Sequence, residues 1–169
     1  MQSSFFKKTF DQHQKEYLAS RLLVRNLVEI WEGDFQGITK DEFRKPYLKN
    51  LPFSVSISHS GTYAVAILHR NKAIGIDIER IDKRLTKVIP RLFTNEEQEF
   101  GVNLEKKCTL WCAKEAMYKW HGRRELDFKK HIQISSWQPF KGKVEQENKS
   151  QELSLFQHQI EDYQIVYCF

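Results

Sequence analysis

Two carboxylates alternate with isoleucines along residues 74–79. Ile74, Ile76 and Ile78 fall between Gly75, Asp77 and Glu79. Because successive side chains of a strand point to opposite faces, the isoleucines would face a core while both acids project from the other face, about 7 Å apart. Carboxylates at this spacing can converge on one hard cation. A solvated face of a half-polar strand explains the same alternation, so the segment alone leaves both interpretations open.

A second group of chemically active side chains lies on a predicted helix, residues 107–120. Trp111, Glu115 and Lys119 stand at i, i+4 and i+8, which places them on one stripe of that helix. A carboxylate and an ammonium one turn apart are also a common surface ion pair, and such pairs are individually weak. The stripe indicates an active site only when another segment supplies further groups.

The third segment, Ser58-His59-Ser60-Gly61, brings two hydroxyls and an imidazole to the end of a strand, beside a flexible glycine. These donors suit phosphate oxygens, although a polar hairpin with a locally bonded His59 has the same composition. The sequence lacks the Gly-x-Ser-x-Gly context of a nucleophilic serine and the Gly-x-x-x-x-Gly-Lys phosphate loop. Hydrolase and nucleoside-triphosphatase functions therefore lose support.

The elements that position these groups follow from periodicity. Apolar residues at helical spacing predict a helix over 12–31 ended by Gly33, another from Thr94 or Asn95, and the helix over 107–120 ended by Gly122. Strands are predicted at 53–58, 63–68, 74–79, 132–137 and 153–169, with a loop at 40–52, a hairpin turn at 69–72 and a polar hairpin at 141–151. This order indicates an α+β domain with antiparallel sheet.

Size and charge bound the function. The chain has 169 residues, a net charge of +5 and a pI of about 9.0, which suit one domain that attracts acidic partners. No RNA-binding or zinc-finger signature accompanies the basic residues, so nucleic acid is disfavoured as a partner. Three cysteines without zinc spacing are expected to be reduced thiols. Without a secretory signal or membrane-length apolar run, we expect a cytoplasmic protein that does not bind membranes.

Five segments, taken in order, resemble the 4'-phosphopantetheinyl transferase superfamily, specifically its surfactin-synthetase-activating branch. In chain order, these are Arg44-Lys45-Pro46, Ser58-His59-Ser60, Gly75-Ile76-Asp77-Ile78-Glu79, Phe93-Thr94-Asn95-Glu96-Glu97 and Trp111-x-x-Lys114-Glu115-Ala116-x-x-Lys119. The resemblance implies an α+β fold made of a pseudo-twofold pair of halves, with small antiparallel sheets packed on helices and the active site between the halves. It also implies a metal-dependent transfer of 4'-phosphopantetheine from coenzyme A to a carrier-protein serine.

The resemblance assigns roles to individual residues. It implies Mg²⁺, with Mn²⁺ as an alternative, held by Asp77, Glu79 and Glu115, with Glu115 also serving as catalytic base and Lys119 answering the charge of the leaving group. Glu97 would support the metal site from a second layer. Coenzyme A, the substrate, would contact Arg44, Lys45, Pro46, His59, Ser60, Gly61 and Lys119.

Two departures from the family pattern qualify these expectations. Arg44 stands where the family has glycine before Lys-Pro, and only about 16 residues precede the helix that resembles the family's early helix. The sequence thus predicts one domain, residues 1–169, whose first half, 1–52, is abbreviated and whose second half, 53–169, carries the metal site. The internal duplication of the branch favours a monomer.

The expected partner is an acidic apo acyl or peptidyl carrier protein. Arg123, Arg124 and Lys129 follow the Lys-Glu-Ala motif and are the candidates for steering it. Two other functions stay open at this stage. One is a weakened remnant that binds coenzyme A without turnover, and the other is a basic, non-catalytic module that binds an acidic protein or nucleic acid.

Overall fold

The computed structural model describes residues 2–31, 33–123, 126–146 and 149–169, with the backbone alone for 2–11 and 13. Four helices and nine strands occur in these ranges: α1 Gln2–Ile30, β1 Ile38–Lys40, β2 Pro46–Leu48, β3 Ser54–Ser60, β4 Tyr63–His69, β5 Gly75–Arg80, α2 Leu85–Leu92, α3 Asn95–Phe100, α4 Leu104–His121, β6 Ile132–Trp137, β7 Phe140–Gln146, β8 Lys149–Ile160 and β9 Tyr163–Cys168. Two small antiparallel sheets pack on helices, which confirms the predicted fold class. Of the helices described, none is long and apolar enough to cross a membrane.

The first sheet has the strand order β1-β2-β3-β4, and α1 packs on its β3 and β4 side. Val24 and Val28 of α1 are fully buried against Leu48 of β2 and Val55 of β3. Helix α1 begins well before the predicted start at residue 12. It ends close to the predicted position, where the Gly33 N–H donates to the Val28 carbonyl at 2.9 Å.

The second sheet has the order β5-β9-β8-β7-β6 and carries α4 across one face. Cys112, Ala116 and Met117 of α4 are completely buried, together with Val166 and Cys168 of β9. The predicted helix ends are confirmed. Thr94 forms a reciprocal capping box at the start of α3, and Gly122, in the left-handed region at φ 72°, ends α4.

One of the two expected hairpins is wrong and the other is confirmed. Residues 69–72 do not form a hairpin, because β4 and β5 belong to different sheets and the segment is the link between them. The polar hairpin predicted at 141–151 is present as the antiparallel pairing of β7 with β8, which runs from Lys141 opposite Ser154 to Gln146 opposite Lys149. In β7 the charged Lys141 and Lys143 alternate with Gly142 and the buried Val144, so the polar residues are the solvent face of a strand.

The loop predicted at 40–52 also contains strand β2, which pairs with β1 on one side and with β3 on the other. The first sheet therefore continues to His69, beyond the division at 52/53 expected from the sequence. From here on, the first half is the part of the chain up to His69 and the second half begins at β5. The two halves meet where the isoleucines of β5 pack on β4. Ile76 and Ile78 are buried there among Tyr63, Val65 and Ile67.

Gly75 allows α4 to approach β5 closely. A Cβ atom at this position would lie 1.9 Å from the Ala116 carbonyl oxygen and 2.7 Å from the Trp120 nitrogen. Both neighbours are helix backbone, which cannot turn aside as a flexible side chain can. The glycine thus fixes the distance between the strand that carries Asp77 and the helix that carries Glu115.

We predict that Gly75→Ala lowers the free energy of unfolding by about 3 kcal/mol or more, because α4 must move away from the sheet. Gly101→Ala is the matched control, since its Cβ would lie 3.2 Å from the ends of flexible side chains. Urea unfolding of both variants measures the difference. Equal and small losses would contradict the close helix–strand contact.

Candidate active site

The acids of β5 face the Trp111–Glu115–Lys119 stripe of α4. The Lys119 ammonium donates to Asp77 Oδ1 at 2.7 Å, and the charges of Asp77 and Glu79 both act on Glu115. The structure therefore brings the three predicted metal ligands and the predicted lysine into one group. Their spacing in the sequence placed them on two faces, and the packing of α4 on β5 places those faces against each other.

Asp77 is the most constrained member of this group. It is only 4% exposed, and its Oδ1 atom accepts hydrogen bonds from Ser58 Oγ and Lys119 Nζ, both at 2.7 Å. Its Oδ2 atom is buried and has no hydrogen-bond partner within the described chain. A buried carboxylate oxygen without a partner is costly, so this atom is ready to accept a cation or a donor from a ligand.

The other two carboxylates have perturbed proton affinities. Burial, and then the neighbouring charges of Asp77 and Glu79, raise the pKa of Glu115 to about 7, against the opposing effect of Lys119. Burial and Asp77 also raise the pKa of Glu79, while hydrogen bonds from Ser60 and Trp111 partly offset the rise. Burial and the neighbouring charges therefore disfavour the ionised forms of Glu79 and Glu115.

Three alternate serines of β3 bond to β5 and so join the first half to that strand. We call them the serine ladder, which consists of Ser56, Ser58 and Ser60. Ser56 Oγ accepts from the Ile76 N–H at 3.1 Å, Ser58 donates to Asp77, and Ser60 donates to Glu79 Oε2 at 3.1 Å. Ser58 was not among the predicted site residues. Its signal was the alternation of serines on β3, which has the same period as the alternation of acids on β5.

The donor set fits a hard divalent cation. It consists of carboxylate oxygens, one of which is buried and unpartnered, in a place with more negative than positive charge. In the part of the chain described, no three acid, histidine or cysteine side chains already converge as a complete ligand cluster. At Asp77 Oδ1, the Lys119 ammonium stands where a cation would be expected. Cation binding thus requires side chains of this group to move.

A cleft of about 480 Å³ opens between α1, the β1–β2 loop, β3 and the end of α4, and Lys119, rather than any of the three acids, is the member of the group that lines it. Its lining carries six cationic side chains, which are Arg21, Lys40, Arg44, Lys45, Lys119 and Arg123. Such a cleft attracts a polyanion. The lining includes five of the seven residues predicted to bind coenzyme A, namely Arg44, Lys45, Pro46, His59 and Lys119.

Ser60 and Gly61, the other two, are not among the described residues that line this cleft. The Ser60 hydroxyl is turned to Glu79. Gly61, at φ 57°, packs so closely on Tyr163 that a Cβ would lie 2.2 Å from its hydroxyl oxygen. The glycine shapes the turn against the second half of the molecule, and this contact accounts for its position without a ligand.

The loop that holds Arg44 and Lys45 is organised by Asp41. Its Oδ1 atom accepts from the N–H groups of Phe43 at 3.0 Å and Lys45 at 2.8 Å. Arg44 is forced to φ 70°, the left-handed region that favours glycine, at the position where the family has glycine. Lys45 Nζ donates to the Trp120 carbonyl at 2.8 Å, and burial lowers its pKa. The loop thereby spans the two halves.

Helix α1 supplies cleft residues that sequence reasoning missed. The Arg21 guanidinium lies 3.2 Å from the centre of the Tyr17 ring, and both side chains line the cleft. Glu16 lies 3.4 Å from His59 Nδ1. The signal was the i,i+4 pairing of Tyr17 and Arg21, which lie on the same stripe of the helix as the buried valines, nearer its start.

Glu97 lies in a different network from the three acids. Its Oε2 atom accepts from Lys114 Nζ at 2.7 Å and from the Thr94 N–H at 2.8 Å, while its Oε1 atom accepts from the Ile134 N–H at 2.7 Å. Lys114 is fully buried and also donates to the Leu92 and Phe128 carbonyls. Glu97 therefore ties α3, α4 and β6 together. Among the described residues, no hydrogen bond of Glu97 reaches Asp77, Glu79 or Glu115, so its predicted role beside the metal has no direct contact to support it.

The basic residues proposed to steer a carrier protein are only partly described. Arg123 lines the cleft, Lys129 is exposed after the turn capped by Asp127, and Arg124 lies outside the described residues.

The chain belongs to the 4'-phosphopantetheinyl transferase superfamily. A model of that superfamily matches residues 73–168, and a model of the 4'-phosphopantetheinyl transferase N-terminal domain matches residues 2–69. The two matches divide the chain at the link between β4 and β5. No curated protein matches the chain. Membership supports a transferase of the 4'-phosphopantetheinyl transferase kind, and the family in general uses coenzyme A and a metal and acts on carrier proteins.

We predict that Glu115→Gln stabilises the metal-free protein above pH 7. A raised pKa means that the ionised side chain disfavours the fold, with no cost below the unfolded value near 4.5 and the full cost above about 7. The gain at pH 8 should be on the order of 1 to 3 kcal/mol and should vanish near pH 4. Urea unfolding at both values in the presence of a chelator measures it. A gain that does not change with pH would contradict the buried charge.

We also predict that Arg44→Gly is more stable than Arg44→Ala by about 1 kcal/mol, since both remove the guanidinium but only glycine relieves the left-handed backbone. Both variants should bind coenzyme A equally weakly in calorimetry, because both lose one cleft cation. Equal stability would show that the backbone at this position is not strained.

Proposed function

We propose that this protein transfers 4'-phosphopantetheine from coenzyme A to a serine hydroxyl of an apo acyl or peptidyl carrier protein, with release of adenosine 3',5'-bisphosphate, as a member of the surfactin-synthetase-activating branch. The observation that carries the proposal is the position of Lys119. Its ammonium contacts the buried acid Asp77, and its side chain also lines the cationic cleft. A reacting phosphate in the cleft would lie beside the acid group.

Coenzyme A is the substrate that suits this cleft. Its pyrophosphate and 3'-phosphate form a compact polyanion, and the cleft offers cations from both halves of the molecule. Arg44, Lys45 and His59 would hold phosphates, and Pro46 would pack against the base. Lys45 would then exchange its bond to the Trp120 carbonyl for one to the ligand, which needs no more than a side-chain rotation.

The acid group would carry a divalent metal, Mg²⁺ or Mn²⁺, held by Asp77, Glu79 and Glu115. A bound metal would neutralise charge on the pyrophosphate and polarise the phosphorus of the phosphopantetheine group. Asp77 can offer its unpartnered Oδ2 atom, and Ser60 orients Glu79. The Trp111 ring stacks on the Phe128 ring, with 5.9 Å between the two ring centroids, and bounds the acid group on that side.

Two residues of α4 would have separate roles in the reaction, one at the attacking serine and one at the leaving group. The carrier serine oxygen forms a bond to the phosphorus of the phosphopantetheine group, and the bond from that phosphorus to the bridging oxygen breaks. Glu115 would accept the serine proton directly or through water. Lys119 would stabilise the charge that grows on the departing bisphosphate or donate a proton to it.

The carrier would approach the open side of the cleft, where Arg123 lies. Carrier proteins that present acidic residues next to the modified serine would be steered there by the net positive charge of the chain. Arg123 faces the cleft as well as the surface, so its effect on the carrier and on coenzyme A must be measured separately. Lys129 is exposed and is not among the described residues that line the cleft, so its replacement would test carrier docking separately from coenzyme A binding.

The experiment incubates the protein with coenzyme A, Mg²⁺ and several apo carrier proteins, and weighs the carriers by mass spectrometry. At least one carrier should gain one phosphopantetheine group, and a chelator should prevent the gain. Asp77→Asn and Lys119→Ala should each slow single-turnover transfer by about 100-fold or more. Glu152→Gln is the matched control, since this acid is exposed and its carboxylate pairs with Lys141 across the far strands.

Coenzyme A binding without modification of any carrier would favour the remnant over the transferase. Full activity of Asp77→Asn would remove the acid group from the mechanism.

A further inference from the structure

Lys119, Ser58 and Asp77 form a closed triangle of hydrogen bonds at the boundary of the two halves. Lys119 Nζ donates to Asp77 Oδ1 at 2.7 Å and to Ser58 Oγ at 2.8 Å, while Ser58 Oγ donates to the same Asp77 atom at 2.7 Å. Ser58 is 6% exposed and Asp77 is 4% exposed. Each member of the triangle is therefore fixed by the other two.

The triangle places a positive charge on an atom that a metal ion would also need. The ammonium offsets the buried charge of Asp77 while no metal is bound. Two cations on one carboxylate oxygen repel each other strongly in a partly buried place. A metal can therefore reach Asp77 Oδ1 only as the lysine leaves it, although the buried Oδ2 atom has no hydrogen-bond donor within the described chain.

We propose that Lys119 is the resident counter-cation of the metal-free site, that a divalent metal displaces it, and that Ser58 is the positioning residue that holds it in place until then. The proposal rests on the proposed function only in taking a divalent metal as the ion of this site. The lysine is about one quarter exposed and already lines the cleft, so the displaced ammonium has a short path to a phosphate there. When the metal replaces Lys119 on Asp77, the same step frees the Lys119 ammonium to stabilise a negative charge in the cleft.

Ser56 shows what Ser58 adds to the serine ladder. Both hydroxyls are buried on the same face of β3, and both bond to β5. Ser56, however, bonds to the backbone N–H of Ile76, and its hydroxyl has no part in the triangle. Loss of Ser56 should therefore weaken the contact between the halves without changing the affinity for a metal, whereas loss of Ser58 should change both.

The test measures Mn²⁺ affinity by electron paramagnetic resonance, without coenzyme A or carrier protein. Lys119→Met should bind Mn²⁺ about tenfold more tightly than the parent, because no ammonium competes. Ser58→Ala should bind it about threefold more tightly while Lys119 is present, and no more tightly once Lys119 is methionine. Ser56→Ala should bind like the parent in both backgrounds. Lys119→Gln is a second neutral variant, and Lys119→Arg should retain the affinity of the parent.

Thermal unfolding supplies a second readout. Without metal, Lys119→Met should be less stable than the parent, since Asp77 loses its counter-cation, and Mn²⁺ should raise its melting temperature by more than that of the parent.

The outcomes separate this proposal from the proposed function. Unchanged or weaker Mn²⁺ binding in both neutral variants of Lys119 would overturn the exchange, even if carriers are modified. An equal effect of Ser58→Ala in both backgrounds would overturn its positioning role. The expected order of Mn²⁺ affinities, in a protein that modifies no carrier, would support the exchange while the proposed function fails.

Discussion

The site depends on the interactions that stabilise several carboxylates in a partly buried place. Asp77, Glu79 and Glu115 lie at the contact of β5 with α4, where Asp77 disfavours the ionisation of the other two acids and Glu79 disfavours that of Glu115. The chain offsets this charge with Lys119 and with hydroxyls rather than with a buried arginine fork. Both kinds of donor can be displaced, and a hydroxyl bond to a carboxylate contributes roughly 1.5 to 3 kcal/mol. The site is thus stable enough to fold and loosely enough satisfied to accept a ligand.

The two-part architecture follows from that requirement. The acids belong to the second half, but the serine ladder that orients them belongs to the first, and so does most of the cleft lining. Gly75 brings α4 within backbone contact of β5, and the Lys45 bond to the Trp120 carbonyl ties the first half to the end of the same helix. The acid group, its counter-cation Lys119 and the cationic cleft meet at this boundary.

Much of this was predictable, because strand and helix periods decide which side chains share a face. The alternation around Asp77 and the stripe through Glu115 placed the acids correctly on their elements. The contact between those elements depends on tertiary packing, which the sequence carries only weakly, as in Gly75. The hairpin expected at 69–72 was wrong for the same reason. Local turn composition cannot reveal that Ile76 and Ile78 find their partners across a sheet boundary instead of within one sheet.

The two lysines of α4 show how burial separates a structural ion pair from a functional one. Lys114 is fully buried, donates three hydrogen bonds, and faces a Glu97 whose two oxygens are both satisfied. Removing one partner would leave a buried charge, so that pair can do little except hold the fold together. Lys119 makes an ion pair of the same length, but it is partly exposed and its Asp77 partner keeps a buried oxygen without a donor. An incompletely satisfied pair at the rim of a cleft can change partners, and the sequence, in which both lysines look alike, does not distinguish them.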